Sequence, residues 1–475
     1  MVLPPQFDQP PGEFAKRIDS AIDVGQNKLF RVLWFILPPQ SIARDIRFQA
    51  LVVSRFLCDL ALQALLFSAL IFSAQNGGTD GDAAFIGVSF LIPGVLLGLW
   101  GGAVADAFPK QAVLVAGYVA MGGLCLLLPL IFGMTSTTLL AALFTVRILH
   151  QVTQPAEASA APLVADSEEL ASANSFLHLS SSAGEVLGKA LLAPIMVSIW
   201  GITPVGVLAG VLFILSGIRV AKFKPTQQLS APGTTTTPKD RFSRTSLQIS
   251  ENEKPRLRHV LVWLLSEKET FIMLLLAAMA STIGVVLTVL APRYVLAILN
   301  ISPQYAFYVF APAAVGFGFG MLAVPFLINN TSEKIAGFIG FVLVAVSVSL
   351  IGQIEPVSQF LRPLLLLDLA NINDLTQAAG MLSFFTGLGI TLAAAATQTY
   401  IGKYVPYTIH GRVFALLGVL KDGLAIPQLV AIGVITDLIG VATVLTVAPF
   451  GIIFIAGGLL LLSSRYERKS PHAEQ

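Results

Sequence analysis

Residues 84–106 read AFIGVSFLIPGVLLGLWGGAVAD and residues 111–133 read QAVLVAGYVAMGGLCLLLPLIFG, with only Ala107-Phe108-Pro109-Lys110 between them. Each run is 23 residues long, and neither holds a charge apart from the terminal Asp106. A helix rises about 1.5 Å per residue, so either run crosses the roughly 30 Å of hydrocarbon in a bilayer. In lipid the backbone must satisfy its own hydrogen bonds, which makes a helix the form such runs take. The stretch is a pair of membrane-crossing helices joined by a tight turn.

Outward from this pair the pattern repeats. Apolar runs give twelve spans, at 48–74, 84–106, 111–133, 137–163, 170–198, 202–222, 270–292, 304–328, 334–354, 378–402, 412–437 and 440–463. Pro93, Pro155 and Pro427 fall inside them and mark kinks rather than breaks. Of 475 residues, 55% are hydrophobic and 12% charged, with a mean hydropathy of +0.79. A soluble domain carries about a quarter charged residues. The net charge of +2 is not gathered into a basic surface, so no nucleic-acid partner is expected. Cys58 and Cys125 lie in apolar runs, which excludes a disulfide framework and any CxxC metal or redox pattern. The N-terminal stretch lacks an apolar h-region, so no cleaved signal peptide is expected.

Three segments fall outside the spans. Residues 1–46 form an N-terminal arm, in which Lys28 to Ile36 is suited to the membrane surface. Residues 223–269 are a long polar linker, expected to be largely disordered. Residues 355–377 hold an apolar run too short to span, read as an interfacial or re-entrant piece. Lys and Arg number 22 in the segments on the side of the termini and 2, Arg293 and Arg362, on the other. The positive-inside bias then puts both termini, the linker and the 464–475 tail in the cytoplasm. The linker divides the chain into a first half, 47–222, and a second, 270–463.

The turn after the second span reads Gly98-Leu-Trp-Gly-Gly102-Ala-Val-Ala-Asp106-Ala-Phe-Pro-Lys110. Small residues let helices approach closely, and an acid and a base follow at the membrane rim. The pattern resembles the G-x-x-x-D-x-x-G-K/R loop of the major facilitator superfamily. Gly102, Asp106 and Lys110 match, while Ala107 replaces the usual Arg and Pro109 the usual Gly. The second-half counterpart, Asn329 to Lys334, is weaker. Arg147 stands where the family carries an Arg in helix four, with Gln151 at its Gly position. Pro162-Leu-Val-Ala-Asp-Ser-Glu168-Glu169-Leu-Ala-Ser-Ala-Asn174 and Val405-Pro406-Tyr-Thr-Ile-His410-Gly411-Arg412-Val413 resemble paired turns of the siderophore and macrolide exporter branch. The resemblance implies an all-α membrane protein with twelve transmembrane helices in two six-helix bundles, the major facilitator fold. It also implies that Gly102, Asp106 and Lys110 form a gating loop. Lys189 stands where antiporters of the family carry Pro after G-x-x-x-G. The same stretch, Gly184 to Ala190, is no phosphate-binding loop, since Ala183 and Ala190 replace a required Gly and the Ser/Thr.

Ionisable groups inside the spans are costly and need partners or a watered cavity. Arg55 and Asp59 lie in the first span, and Arg147, His150 and Glu157 in the fourth. Glu185 and Lys189 lie in the fifth and Lys421 and Asp422 in the eleventh, with Asp59, His150, Glu185 and Asp422 near mid-depth. All but Glu157, which lies nearer the cytoplasm, are candidates for substrate binding or proton coupling. Arg55/Asp59 and Glu185/Lys189 are each four apart, so each pair also fits a self-neutralised device of helix packing.

The resemblance implies a secondary active transporter: proton-coupled export of a small amphipathic, siderophore- or drug-like molecule by alternating access. A lysophospholipid-type flippase or small-molecule importer, and a non-transporting membrane sensor, are the alternatives. No catalytic constellation, metal site or cofactor is expected. The expected partners are a small-molecule substrate, protons or another coupling ion, and the lipid of a plasma (inner) membrane, with the chain a monomer.

Overall fold

The computed structural model describes residues 42, 45–133, 135–160, 170–221, 257–362, 373–405 and 409–467. The first half holds α1 (Ile46–Gln75), α2 (Asp80–Ala107), α3 (Lys110–Phe132), α4 (Ser136–Ala160), α5 and α6 (Thr203–Ala221). Helix α5 runs from Leu170–Leu187 through a π turn, Gly188–Leu192, into Ala193–Trp200. The second half holds a short α7 (Leu257–Ser266), α8 (Lys268–Ala297), α9 (Phe307–Asn330) and α10 (Glu333–Gly352). A short α11 (Ile354–Leu361), α12 (Asp374–Tyr404), α13 (His410–Ile439) and α14 (Val441–Glu467) complete it. No strand occurs among the described residues.

Local sequence sets the helix ends. The Asp45 side chain accepts from the Arg47 amide to cap α1, and Thr79 with Asp82 forms a reciprocal capping box at α2. On the face opposite the termini, the loops after α1, α3, α5 and α13 turn through Gly77, Gly133, Gly201 and Gly440, with φ of 78°, 72°, 79° and 84°. That left-handed backbone is open to glycine at no steric cost. Pro93, Pro155 and Pro427 do lie within continuous helices.

Eleven helices among the described residues are long and apolar enough to cross a membrane. Helix α4 falls short because Arg147, His150, Gln151, Thr153, Gln154 and Glu157 crowd its second half. In the first half α1 packs on α5 and α6, α2 on α4, and α3 on α4 and α6. In the second, α12 is central, packed on α8, α9 and α10. The broadest contact between halves joins α2 to α13.

One expectation changes. Part of the presumed disordered linker is the helix α7, whose Val260 and Leu264 are buried among Ile401, Val405, Ile409, Val413 and Leu417. Its apolar side chains recur at helical spacing, and burying them outweighs the polar character of the flanking sequence. Within the 355–377 segment, α11 buries Ile354 and Ser358 and leaves Phe360 exposed, the amphipathic pattern of an interfacial helix. Residues 363–372, the arm up to residue 41, the linker at 222–256, the 162–169 part of the first exporter-like turn, 406–408 of the second, and 468–475 lie outside the described residues.

Candidate functional site

Six of the predicted intramembrane charges converge from three helices. Arg55 and Asp59 face inward from α1, Arg147, His150 and Glu157 from α4, and Asp422 from α13. Ser181 joins them from α5. The nearer partner of Arg55 is Glu157, with Nη1 3.0 Å from Oε2; its own-helix neighbour Asp59 is 3.9 Å away. The four-residue spacing on α1 therefore does not make a closed pair. Asp59 instead accepts from Ser181 Oγ at 2.5 Å and meets His150 Nε2 at 3.6 Å.

Arg147 is the hub. Its Nη2 donates to Asp422 Oδ2 at 2.9 Å, and its Nη1 lies 3.0 Å from His150 Nδ1. A guanidinium only donates, so Nδ1 accepts and Nε2 carries the imidazole proton toward Asp59. With the Gln151 amide oriented to present its oxygen, that oxygen accepts from Nη2 and Nε of Arg147, both at 3.3 Å. The ring of Phe90 stacks 4.8 Å beneath the guanidinium carbon, so one face of the cation rests on an aromatic surface. Arg147 and Asp422 are 7% and 4% exposed. Their bond is thus a buried ion pair that crosses from the first half to the second.

The result is a continuous chain of polar groups: Asp422, Arg147, His150, Asp59, Arg55 and Glu157. It holds two guanidiniums against three carboxylates. Asp422 Oδ1 and Glu157 Oε1 are buried and have no hydrogen-bond partner among the described residues. Each is an acceptor position at which a proton or a donor group would be favoured.

Glu185 and Lys189 form a separate pair on α5, 3.2 Å apart and partly exposed. Among the described residues, Lys421 contributes no ion pair to the Arg147 network. Its carbonyl accepts from Thr282 Oγ1 at 3.3 Å, and its ammonium lies within electrostatic reach of Glu185. Lys189 also lines an apolar cavity of about 150 Å3 bounded by α5 and the second half. Of the gating-loop residues, Gly102 and Asp106 fall in the last turns of α2, their side chains outside the described residues, and Lys110 opens α3.

Sequence reading did not single out Ser181, Phe90 or Gly94 for the site. Ser181 had a signal, the Ser180-Ser181-Ser182 run within an apolar helix. Gly94 had none: it matters because a β-carbon there would collide with Asp422 Oδ2.

At the face opposite the termini the halves are joined again. Arg293 Nε of α8 lies 3.3 Å from Asp80 Oδ1 of α2, and Gln75 Nε2 donates to Gln304 Oε1 at 2.6 Å. Phe67 and Phe310 meet edge to face at 5.3 Å. At the terminal face Glu269 holds Lys334 at 2.6 Å and accepts from Tyr400, and Lys403 meets Glu333 at 3.2 Å, all within the second half. Among the described residues, no cluster of His, Cys, Asp and Glu could hold a metal ion.

No protein of curated function matches the chain in sequence. Several solved structures match its fold. A bacterial homolog of the human lysosomal transporter Spinster, inward-facing and unoccupied, gives a TM-score of 0.65 at 14% identity, over 90% of this chain and 99% of that one. The nucleoside transporter NupG gives 0.61 at 10%, over 89% and 99%. An auto-inhibited POT family peptide transporter gives 0.60 at 13%, over 91% and 98%. At these identities the likeness is one of fold. Residues 51–426 match the profile of the Major Facilitator Superfamily, and the chain belongs to that superfamily.

Proposed function

We propose that this chain is a secondary active transporter that moves a small amphipathic molecule by alternating access. In this reading the two halves, 47–222 and 270–463, rock about a central site, with 223–269 as their tether. The observation that carries it is the Arg147–Asp422 pair, 2.9 Å long and buried between the halves. A bond in that place must be broken or exchanged whenever the halves separate.

Breaking one side of a buried ion pair strands a charge, at a cost of about 3–5 kcal/mol. A proton on the carboxylate, or a substrate group that takes its place, removes that cost. The same holds along the chain to Asp59, where three carboxylates share two guanidiniums. Proton uptake at one of them relieves the excess negative charge and loosens Arg147, which supports proton coupling. Clustering of Lys and Arg on the terminal side supports cytoplasmic termini in the plasma (inner) membrane. The face sealed by Asp80 and Arg293 is then external, the two exporter-like turns support outward transport, and the chain acts as a monomer.

The test is a library of amphipathic solutes presented to inverted vesicles, with and without a pH gradient. Gradient-dependent uptake is expected, and Asp59→Asn and Glu185→Gln are expected to abolish it. Full gradient-driven transport in both variants would overturn the coupling scheme, and accumulation only in right-side-out vesicles would reverse the direction.

A further inference from the structure

The cavity at Lys189 has a shape and polarity that the ion network does not explain. Its wall along α8 runs from Gly284 to Tyr294, ten residues and so about 15 Å. Leu287, Val309, Phe310, Phe317 and Ile390 supply apolar sides. Of the four hydroxyls in the wall, all but Ser383 are committed to the protein. Thr288 donates to the Gly284 carbonyl at 2.7 Å, Tyr294 to the Ile351 carbonyl at 2.9 Å, and Thr386 is bonded to Ser347 and Leu382. Along these walls the slot thus offers a guest no uncommitted hydroxyl but that of Ser383. Lys189 is the charged residue in the lining, and it stands 3.2 Å from Glu185.

We propose that the substrate is a single-chain amphiphile with a zwitterionic head, its tail lying in the slot and its head between Glu185 and Lys189. An apolar slot accepts a chain, and the charge pair beside it requires a head group. An anionic head alone would take Lys189 and strand Glu185; a cationic head alone would strand Lys189. A head with both charges exchanges one ion pair for two and strands neither. The π turn assists, because it seats Lys189 in a widened stretch of α5 while Gly184 and Gly188 keep that helix against the α1 backbone. Transport of this amphiphile rests on the reading above; its binding does not.

The full chain in diacyl phosphatidylcholine nanodiscs is titrated with a single-chain phosphocholine lipid bearing a nitroxide on its tail, with empty nanodiscs as baseline. An immobilised spectral component is expected, at least tenfold weaker for a fatty-acid or an alkylammonium probe of the same tail. Gly284→Leu, which fills the slot, is expected to remove it. Ile390→Phe narrows the opposite wall and serves as the second variant if the first does not fold. Lys189→Gln is expected to erase the preference for the zwitterion over the alkylammonium probe. Equal binding of all three heads, or full binding in the narrowed slot, overturns the proposal. Gradient-driven flux of another solute without probe binding overturns it while leaving the transporter reading intact; probe binding without flux in proteoliposomes does the reverse.

Discussion

Arg147 of α4 and Asp422 of α13 meet at 2.9 Å although they stand 275 residues apart, and their bond ties the two halves at mid-depth. Asp422→Asn leaves the Arg147 guanidinium buried beside His150 and Gln151 with no carboxylate. About 3–5 kcal/mol of stability should be lost. Arg147→Gln combined with Asp422→Asn should recover part of that loss, because neither charge is then stranded. Thermal unfolding of the single and double variants gives the coupling energy, and additive losses would mean that the pair is not one unit.

Gly94 leaves room for the carboxylate of Asp422. Gly94→Ala should displace Asp422 from Arg147 and reduce transport at least tenfold, with the chain still folded. Gly123→Ala is the control: a β-carbon there meets nothing within 4 Å. An interior helical Ala is favoured over Gly by roughly 0.5–1 kcal/mol, so this variant should unfold slightly later with transport intact. Flux and melting temperature together separate the two outcomes.

The ends of α2 and α13 on the face opposite the termini can be locked. A β-carbon built on Gly433 lies 2.7 Å from that of Ala84, a little closer than the roughly 3.5–4.5 Å a disulfide spans. Ala84→Cys with Gly433→Cys, in a background with Cys58 and Cys125 replaced by Ser, should cross-link on mild oxidation. Cleavage at a protease site introduced into the 222–256 stretch would leave the halves joined on a gel until reductant is added. Flux should fall to background when oxidised and return on reduction; undiminished flux in the cross-linked form would show that these ends do not part.

The membrane architecture was open to reading because its cause is local: twenty or so apolar residues in a row must cross a bilayer whatever they pack against. The predicted spans at 84–106 and 111–133 became Asp80–Ala107 and Lys110–Phe132. The site was half legible. Charges in apolar runs announce themselves one at a time, and nine were found in this way. Their partnerships depend on how helices cross. Arg55 has Asp59 one turn away yet takes Glu157 from α4, since side chains on two facing helices can meet more directly than two on one face. Lys421 and Asp422 are neighbours in sequence but sit about 100° apart around α13, so only one reaches Arg147. Helix α7 was hidden for the opposite reason, its few apolar residues being diluted by a polar surround.

The π turn at Gly188–Leu192 amounts to one surplus residue wound into α5. Such an insertion is reversible by arithmetic. Removing Leu191 should let the segment relax to ordinary α geometry, restoring the phase of the flanking pieces, whereas a deletion at Ser175 or Ser198 would throw one flank around by about 100°. A chain shortened there should still reach the membrane intact, and should have surrendered only the angle at which its lysine meets a guest.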